Sequence, residues 1–298
     1  MTFEDKFMDV QASMISLALE YVQNQAEKVY IYAIADSLYS FNVFYKIKGN
    51  IVHKHLVNDF LLTKSHIDTS LQSLLLKEGV KDVKSMLDVC QEYNREHPTE
   101  MWLIYDAQKN SLDSRYSYEG RYDKDEELLP NLEFEKWFEE VKSKQLQEKI
   151  MTQFEDKFME VQASMISLAL EYVQNQAEKV YIYCISEEAL LSFDVFYKIN
   201  GVYVKLHKVN TVLETKVDDS DNMMFSVLRY GLEDVQKMLD ICQEYDREHP
   251  TEMWLIYDAQ KNSLDSRYSY EGRYDKDEEL IPRLEFEKWF EEVKVQEL

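Results

Sequence analysis

The chain opens with apolar residues at helical spacing. From position 3 to position 22 they recur every three or four residues, which predicts an amphipathic helix. Thr2 and Asp5 form a capping-box pattern at the start of this helix, and Thr152 with Glu155 repeats the pattern in the second half of the chain. We therefore expect one capped helix at the start of each half.

Strand-like patterns follow the first helix. Apolar residues occupy alternate positions in 28–35 and 40–49, and 50–57 is a candidate for a third strand. Helical spacing returns at 80–93 and ends before Pro98, a residue that disfavours a helical conformation in the position before it. The first hundred residues thus predict a helix, three strands and a second helix.

The segment 100–120 has the pattern of a β-hairpin that turns at Lys109 and Asn110. Three residues of its second strand are expected to face the core: Leu112, Tyr116 and Tyr118. A last helix is expected to begin at Pro130. The order α-β-β-β-α-β-β-α predicts an α+β domain in which helices pack on an antiparallel sheet.

This pattern occurs twice along the chain. From Ser40 onward, residues pair with those 152 positions later, and every glycine and proline has a partner in the other half. A repeat of this length is far longer than a solenoid repeat, so each copy is expected to be a complete domain. We predict tandem domains at 1–150 and 151–298, with a charged linker at 143–152 that extends the preceding helix.

The two copies differ unevenly. Residues 91–142 match 243–294 except at three positions, whereas 51–79 and 202–231 share little beyond their spacing. This contrast predicts one scaffold with two different surfaces. The variable middle either selects different partners or is a surface segment that tolerates substitution.

The chain is strongly acidic, with a formal net charge of −23. Such a charge disfavours binding to nucleic acid and to an anionic membrane surface and favours a basic protein partner, although it also serves solubility alone. The second half is more acidic than the first, partly through Asp218, Asp219 and Asp221 in its variable middle. No apolar stretch is long enough to span a bilayer or has the form of a secretion signal, so we expect a cytoplasmic protein.

Sequence motifs for catalysis are missing. The chain has no glycine-rich phosphate loop, dinucleotide fingerprint, HExxH or GxSxG motif. His53 and His55 are closely spaced, but Lys205 replaces the first of them in the second copy, so we expect no metal site. The cysteines Cys90, Cys184 and Cys242 have no CxxC spacing and are expected to be buried thiols. We predict no cofactor and no enzymatic activity.

The repeated segment YDKDEEL carries the clearest candidate for a binding surface. Clustered carboxylates beside a tyrosine suit a cationic protein partner through ion pairs and cation–π contacts, although a solvated loop has the same composition. We expect Tyr122 and its counterpart to be the exposed tyrosines. The candidate partner-binding residues are Tyr122, Asp123, Asp125, Glu126 and Glu127, then Tyr274, Asp275, Asp277, Glu278 and Glu279, together with Asp218, Asp219 and Asp221.

Both copies also resemble a known family. The segments MTFEDKF, EKVYIY, VFYKI and LEFEKWFEEV, with the strands WLIYD and YSYE between them, resemble the YezG-like immunity proteins, also known as staphylococcal tandem hypothetical proteins. The resemblance implies an acidic antitoxin against a nuclease toxin that is exported by type VII secretion in interbacterial competition. It implies no particular binding residues.

The expected function is therefore that of an immunity protein, which neutralises a basic toxin domain by covering its substrate cleft. A two-domain cytoplasmic scaffold or adaptor for a basic protein is the alternative, because two linked domains gain avidity. An enzyme without a recognisable motif is a third possibility.

Overall fold

The computed structural model describes residues 1–62, 67–122, 124, 127–187, 190–274, 276 and 280–296. The chain divides into two compact units, Met1–Leu146 and Gln147–Leu298. Among the described helices, none combines the length and the apolar character needed to cross a bilayer.

In its described residues, the first unit contains two complete helices, the start of a third and five strands. In chain order these are α1 (Phe3–Tyr21), β1 (Lys28–Ala35), β2 (Tyr39–Ile47), β3 (Asn50–His53), α2 (Thr69–Glu92), β4 (Glu100–Asp106), β5 (Ser111–Ser117) and the first part of α3 (Pro130–Tyr172). A short 3-10 helix at Val57–Asp59 follows β3. The predicted order of elements and the α+β class are confirmed.

The second unit repeats this order. It contains the last part of α3, then β6 (Lys179–Glu187), β7 (Leu190–Ile199), β8 (Val202–Lys205), α4 (Asp221–Glu244), β9 (Glu252–Asp258), β10 (Ser263–Ser269) and α5 (Pro282–Gln296). A 3-10 helix at Leu206–Thr211 follows β8.

Each unit is built on a five-stranded antiparallel sheet. The strand orders are β3-β2-β1-β4-β5 and, in the same sense, β8-β7-β6-β9-β10. The strands also pair in the same register: Tyr32 lies opposite Trp102 in the first sheet, and Tyr183 lies opposite Trp254 in the second. The two copies therefore share one fold, with the same strand order and the same pairing of the central strands.

Helices cover both faces of each sheet. In the first unit α1 and α2 pack on one face, where Met14, Val43 and Met86 belong to one buried cluster. The start of α3 packs on the opposite face, where Phe44 and Trp137 belong to a second, aromatic cluster. Two separate cores on one sheet explain why the strand β1 is buried along nearly its whole length.

The helix α2 begins earlier than its sequence pattern indicates. It starts at Thr69, where the Asp68 carboxylate accepts from the backbone N–H groups of Ser70 and Leu71, rather than near position 80. Similarly, β3 ends at His53 and does not continue to 57. The variable middle of each copy therefore contributes the first turns of a helix.

Only the first capping box is present. The Thr2 backbone N–H donates to Asp5 Oδ2 at 2.8 Å, and the Asp5 N–H donates to Thr2 Oγ1 at 3.2 Å. The corresponding prediction for Thr152 and Glu155 is wrong, because α3 continues through both residues. The Thr152 hydroxyl instead donates to the Glu148 carbonyl one turn earlier, at 3.0 Å.

The hairpin is present, but its second strand is largely exposed. β5 lies at the edge of the sheet, and Tyr116 packs against α1, with its ring centroid 6.0 Å from that of Phe7 and its hydroxyl 2.6 Å from Gln11 Nε2. Leu112 is 39% exposed and Tyr118 is 50% exposed. The expectation that both face the core is wrong, because β5 is an edge strand and, of these three residues, Tyr116 is the one that packs on the core.

Candidate functional site

The predicted acidic loop begins beside a buried ion pair. Glu100, the first residue of β4, is 1% exposed, and Arg121 donates to its two carboxylate oxygens through Nε at 2.7 Å and through Nη2 at 2.8 Å. This two-point contact raises the pKa of the Arg121 guanidinium. Bidentate pairs of this kind fix orientation as well as charge.

Two tyrosine hydroxyls complete the network. The Tyr32 hydroxyl donates to Glu100 Oε2 at 2.5 Å and lies 2.8 Å from the Tyr122 hydroxyl. Burial raises the pKa of Tyr122 to about 12. Burial also raises the pKa of Tyr32, so both phenols are neutral at physiological pH. The Tyr32 hydroxyl holds the carboxylate, and Tyr122 in turn holds that hydroxyl.

The loop is attached at both ends. At its start, the Tyr122 N–H donates to Asp36 Oδ2 at 3.0 Å, and a Cβ on Gly120 would lie 3.2 Å from the other oxygen of that carboxylate. At its end, Glu133 in the first turn of α3 accepts from Arg121 Nη2 at 3.2 Å. A nearby Lys136 lowers the pKa of Glu133, with a contribution from Arg121. The base of the loop is thereby held between β1, β4 and α3.

The second copy builds the same network. Arg273 contacts Glu252 at 3.1 Å and Glu285 at 2.8 Å. The Tyr183 hydroxyl donates to Glu252 and lies 3.0 Å from the hydroxyl of Tyr274. Glu187 replaces Asp36 and accepts from the N–H groups of Arg273 and Tyr274.

The expectation that Tyr122 and Tyr274 are surface residues is wrong. They are 8% and 9% exposed, because their rings pack into the aromatic cores and their hydroxyls lie beside the buried hydroxyls of Tyr32 and Tyr183. Tyr118 and Tyr270, each 50% exposed, lie at the surface near this end of the sheets, and in the first unit Tyr39 is exposed there as well.

The acidic candidates fall into two groups. Glu127 is described and exposed. The other predicted loop carboxylates lie outside the described residues: Asp123, Asp125, Glu126, Asp275, Asp277, Glu278 and Glu279. Their role as partner contacts stays a prediction.

The remaining acidic candidates lie at the start of α4. Asp218, Asp219 and Asp221 are all exposed there, and Ser220 caps the helix by accepting from the N–H of Met223. The backbone N–H of Ser220 also donates to Asp218 at 2.9 Å and lowers the pKa of that carboxyl. These three residues therefore belong to a different element from the loop.

His53 has a structural environment. Its ring stacks on Phe138 with centroids 3.6 Å apart, and Nε2 lies 3.1 Å from Glu135 Oε2. Lys205 and Glu287 form the equivalent pair in the second copy. Across the described residues, no group of three or more His, Cys, Asp or Glu side chains is arranged to hold a metal ion.

The cysteines are buried thiols. Cys90, Cys184 and Cys242 are each 1% exposed, and burial raises the pKa of all three. A protonated, enclosed thiol is a poor nucleophile.

The comparison with known proteins does not indicate a function for this chain. No model of a protein family matches the chain, and no curated protein matches it significantly. The assignment of the site therefore rests on the sequence pattern and on the contacts described above.

Sequence reasoning missed the buried network. Glu100 and Arg121 lie in a segment that is identical in the two copies, so the sequence shows that both copies contain them. It does not show that their side chains form an ion pair. Sequence reasoning also missed Asp194, which replaces Asn42 within an otherwise similar strand.

Proposed function

We propose that this protein is an immunity protein, which binds and neutralises a basic toxin domain, most readily a nuclease, without touching nucleic acid itself. The observation that carries the proposal is a strongly acidic chain in which a carboxylate-rich loop follows the same buried anchor in both copies. The resemblance to the YezG-like immunity proteins supports the same function.

Anchoring suits a loop that meets a partner. A loop whose base is already ordered loses less conformational entropy on binding than one that must be ordered by the partner. Its negative charge speeds encounter with a basic surface, and exposed aromatic rings such as Tyr118 and Tyr270 add contact area that slows dissociation.

The proposal is tested by capture followed by inhibition. The full-length protein is used to capture partners from its own cells at about 0.1 M and about 0.5 M salt, because screening separates electrostatic from apolar contributions. A captured basic protein is purified, its nuclease activity is measured, and the immunity protein is titrated into the assay. We expect loss of activity at a fixed molar ratio of the two proteins.

Two results would contradict the proposal. A captured partner that keeps full activity when saturated with this protein would favour the scaffold function. A partner that is acidic would contradict the charge argument itself.

The scaffold function is the second candidate, and one observation favours it. The variable middles build different surfaces: the first unit has an apolar groove between α1 and α2 lined by Leu17, Leu71 and Leu74, with the last two 46% and 50% exposed. The corresponding turns of α4 carry Met223 and Ser226 instead. Under this alternative, the two units bind two different sites on one assembly and gain avidity from their linkage.

A further inference from the structure

The second unit contains a cavity of about 310 Å³ where β8 ends and where α4 and α5 begin. Its wall is mainly apolar. Six residues define its character: Asp194, Leu206, His207, Phe225, Arg283 and Phe286. Phe225 is 67% exposed at the rim, which is unusual for a ring of that size.

The first copy fills the corresponding place with a lysine of its own. The Lys54 ammonium donates to Asn42 Oδ1 at 3.1 Å and lies 5.1 Å from the ring centroid of Phe134. Burial lowers the pKa of this lysine. The first copy therefore shows how an alkylammonium group fits against this face of the fold.

The second copy lacks that lysine and gains an acid. Strand pairing places His53 opposite Phe44 and Lys205 opposite Phe196, so the next residues, Lys54 and Leu206, correspond. Leu206 is 7% exposed and packs into the core beneath α4.

Asp194 takes the position of Asn42. Its carboxylate accepts from Ser192 Oγ at 2.8 Å, and burial raises its pKa. Among the described residues, no ion pair is made to it. The second copy therefore has a leucine and a carboxylate where the first has a lysine and a neutral amide.

The cavity wall also carries two basic and two other acidic side chains. Lys205 is paired with Glu287, and its ammonium lies 4.7 Å from the centroid of Phe290. Arg283 and Asp221 carry opposite charges. Burial lowers the pKa of His207. Burial raises the pKa of Asp194 more than Arg283 lowers it, and among the described residues Arg283 forms no ion pair with that carboxylate.

We propose that this cavity binds the side chain of a lysine on a basic protein partner. The ammonium lies at Asp194, as Lys54 lies at Asn42, and the aliphatic stem lies along Phe225 and Phe286. That the lysine comes from a protein partner rests on the proposed function. The preference for an alkylammonium group rests on the cavity alone.

The test uses three small probes of equal length on the full-length protein: n-butylammonium, n-butanol and butyrate. Binding is followed by the NMR signal of methionine methyl groups labelled with carbon-13, because Met224 lines the cavity. We expect n-butylammonium to shift the Met224 signal and to bind at least about tenfold more tightly than the other two, as a charged hydrogen bond implies.

Two substitutions identify the site. Asp194→Asn should remove the preference for the cation. Leu206→Lys recreates the residue of the first copy, which should occupy the cavity and block the probe. The matched control is Asn42→Asp in the first copy, where Lys54 is already in place, so binding at Met224 should not change. The remaining methionine signals report whether each variant is folded.

Several outcomes would overturn the inference. Equal binding of n-butanol means an apolar cavity without charge selection, tighter binding of butyrate means an anion site at Arg283, and no shift with any probe means no site. If the protein binds n-butylammonium selectively but inhibits no captured nuclease, the alkylammonium site is supported and the proposed function is rejected.

Discussion

Glu100 and Arg121 form a two-point ion pair although 21 residues separate them in the chain. Glu100 is the first residue of the inner strand β4, and Arg121 follows the edge strand β5. Arg121 also donates to Glu133, so this residue joins the start of β4 to the first turn of α3.

Removing the charge of Glu100 should destabilise the first unit. Glu100→Gln leaves Arg121 without its buried partner, and we expect a loss of about 3 kcal/mol in the free energy of unfolding. The measurement is hydrogen exchange of the segment 28–35 relative to 179–187 of the same chain, which serves as an internal reference. The control Glu119→Gln removes an exposed pair with Lys124 and should change this free energy by less than about 0.5 kcal/mol. Equal effects of the two substitutions would show that the buried pair contributes no more than an exposed one.

A methyl group at Gly79 should also destabilise the first unit. Gly79 lies within α2, and a Cβ there would be 2.2 Å from Cδ1 of Phe41, which is buried against the helix. Gly79→Ala gains about 1 kcal/mol of helix propensity, yet overpacking costs about 1 to 3 kcal/mol or more, so we expect a net loss. Ser85→Ala, at an exposed position of the same helix, should be neutral or slightly stabilising. The same exchange measurement compares them, and increased protection of 28–35 in Gly79→Ala would contradict the packing argument.

The thiols should be unreactive in the folded protein. Because all three cysteines are buried and their pKa values are raised, a thiol reagent such as dithionitrobenzoate should label none of them at pH 8 within minutes. The same reagent should label all three in denaturant. Rapid labelling of one native cysteine would show that its unit opens locally, and mass spectrometry would identify the residue.

The acid in the cavity should reduce stability at neutral pH. Burial raises the pKa of Asp194 above 3.8, its ordinary value, so the folded state binds the proton more tightly than the unfolded state. The free energy of unfolding therefore falls as pH rises from about 3.8 through the raised pKa. Asp194→Asn removes this fall and should stabilise the second unit by about 1 kcal/mol at pH 7.

The pH dependence checks this assignment. Denaturant unfolding at pH 7 and at pH 3.5 should show that the difference between Asp194→Asn and the parent protein shrinks in acid, where both side chains are neutral. A difference that is independent of pH would mean that the substitution acts through packing rather than through charge.

The loop should control the rate of association with a basic partner. Replacing Asp123, Asp125, Glu126 and Glu127 by their amides, together with the matching residues of the second copy, should slow association with the captured partner about tenfold at low salt. The effect should largely vanish at about 0.5 M salt. The rate is measured by stopped-flow fluorescence.

The control for the loop removes the same number of charges elsewhere in both copies. In the first copy it changes four exposed carboxylates, Glu4, Asp9, Glu20 and Asp88. A control that slows association as much as the loop variant would show that net charge, rather than this loop, steers the encounter.

Sequence by itself determined the order of helices and strands and their duplication. Apolar spacing, the Thr2 cap and the prolines are local signals, since each depends on residues within a few positions along the chain. The predicted cap at Thr152 is wrong for this reason: a capping box forms only where a helix begins, and α3 continues through Thr152. The predicted start of α2 is also wrong, because weak periodicity in the variable middle concealed the first turns.

Only the tertiary structure decided which side chains are buried. Tyr122 begins the charged segment YDKDEEL and has the pattern of a surface residue, yet its hydroxyl lies 2.8 Å from that of Tyr32 in the aromatic core. Tyr118 has the pattern of a core residue, yet the edge of the sheet leaves it half exposed. Burial and the pairing of Glu100 with Arg121 depend on contacts between distant parts of the chain, which alternation along a strand does not encode.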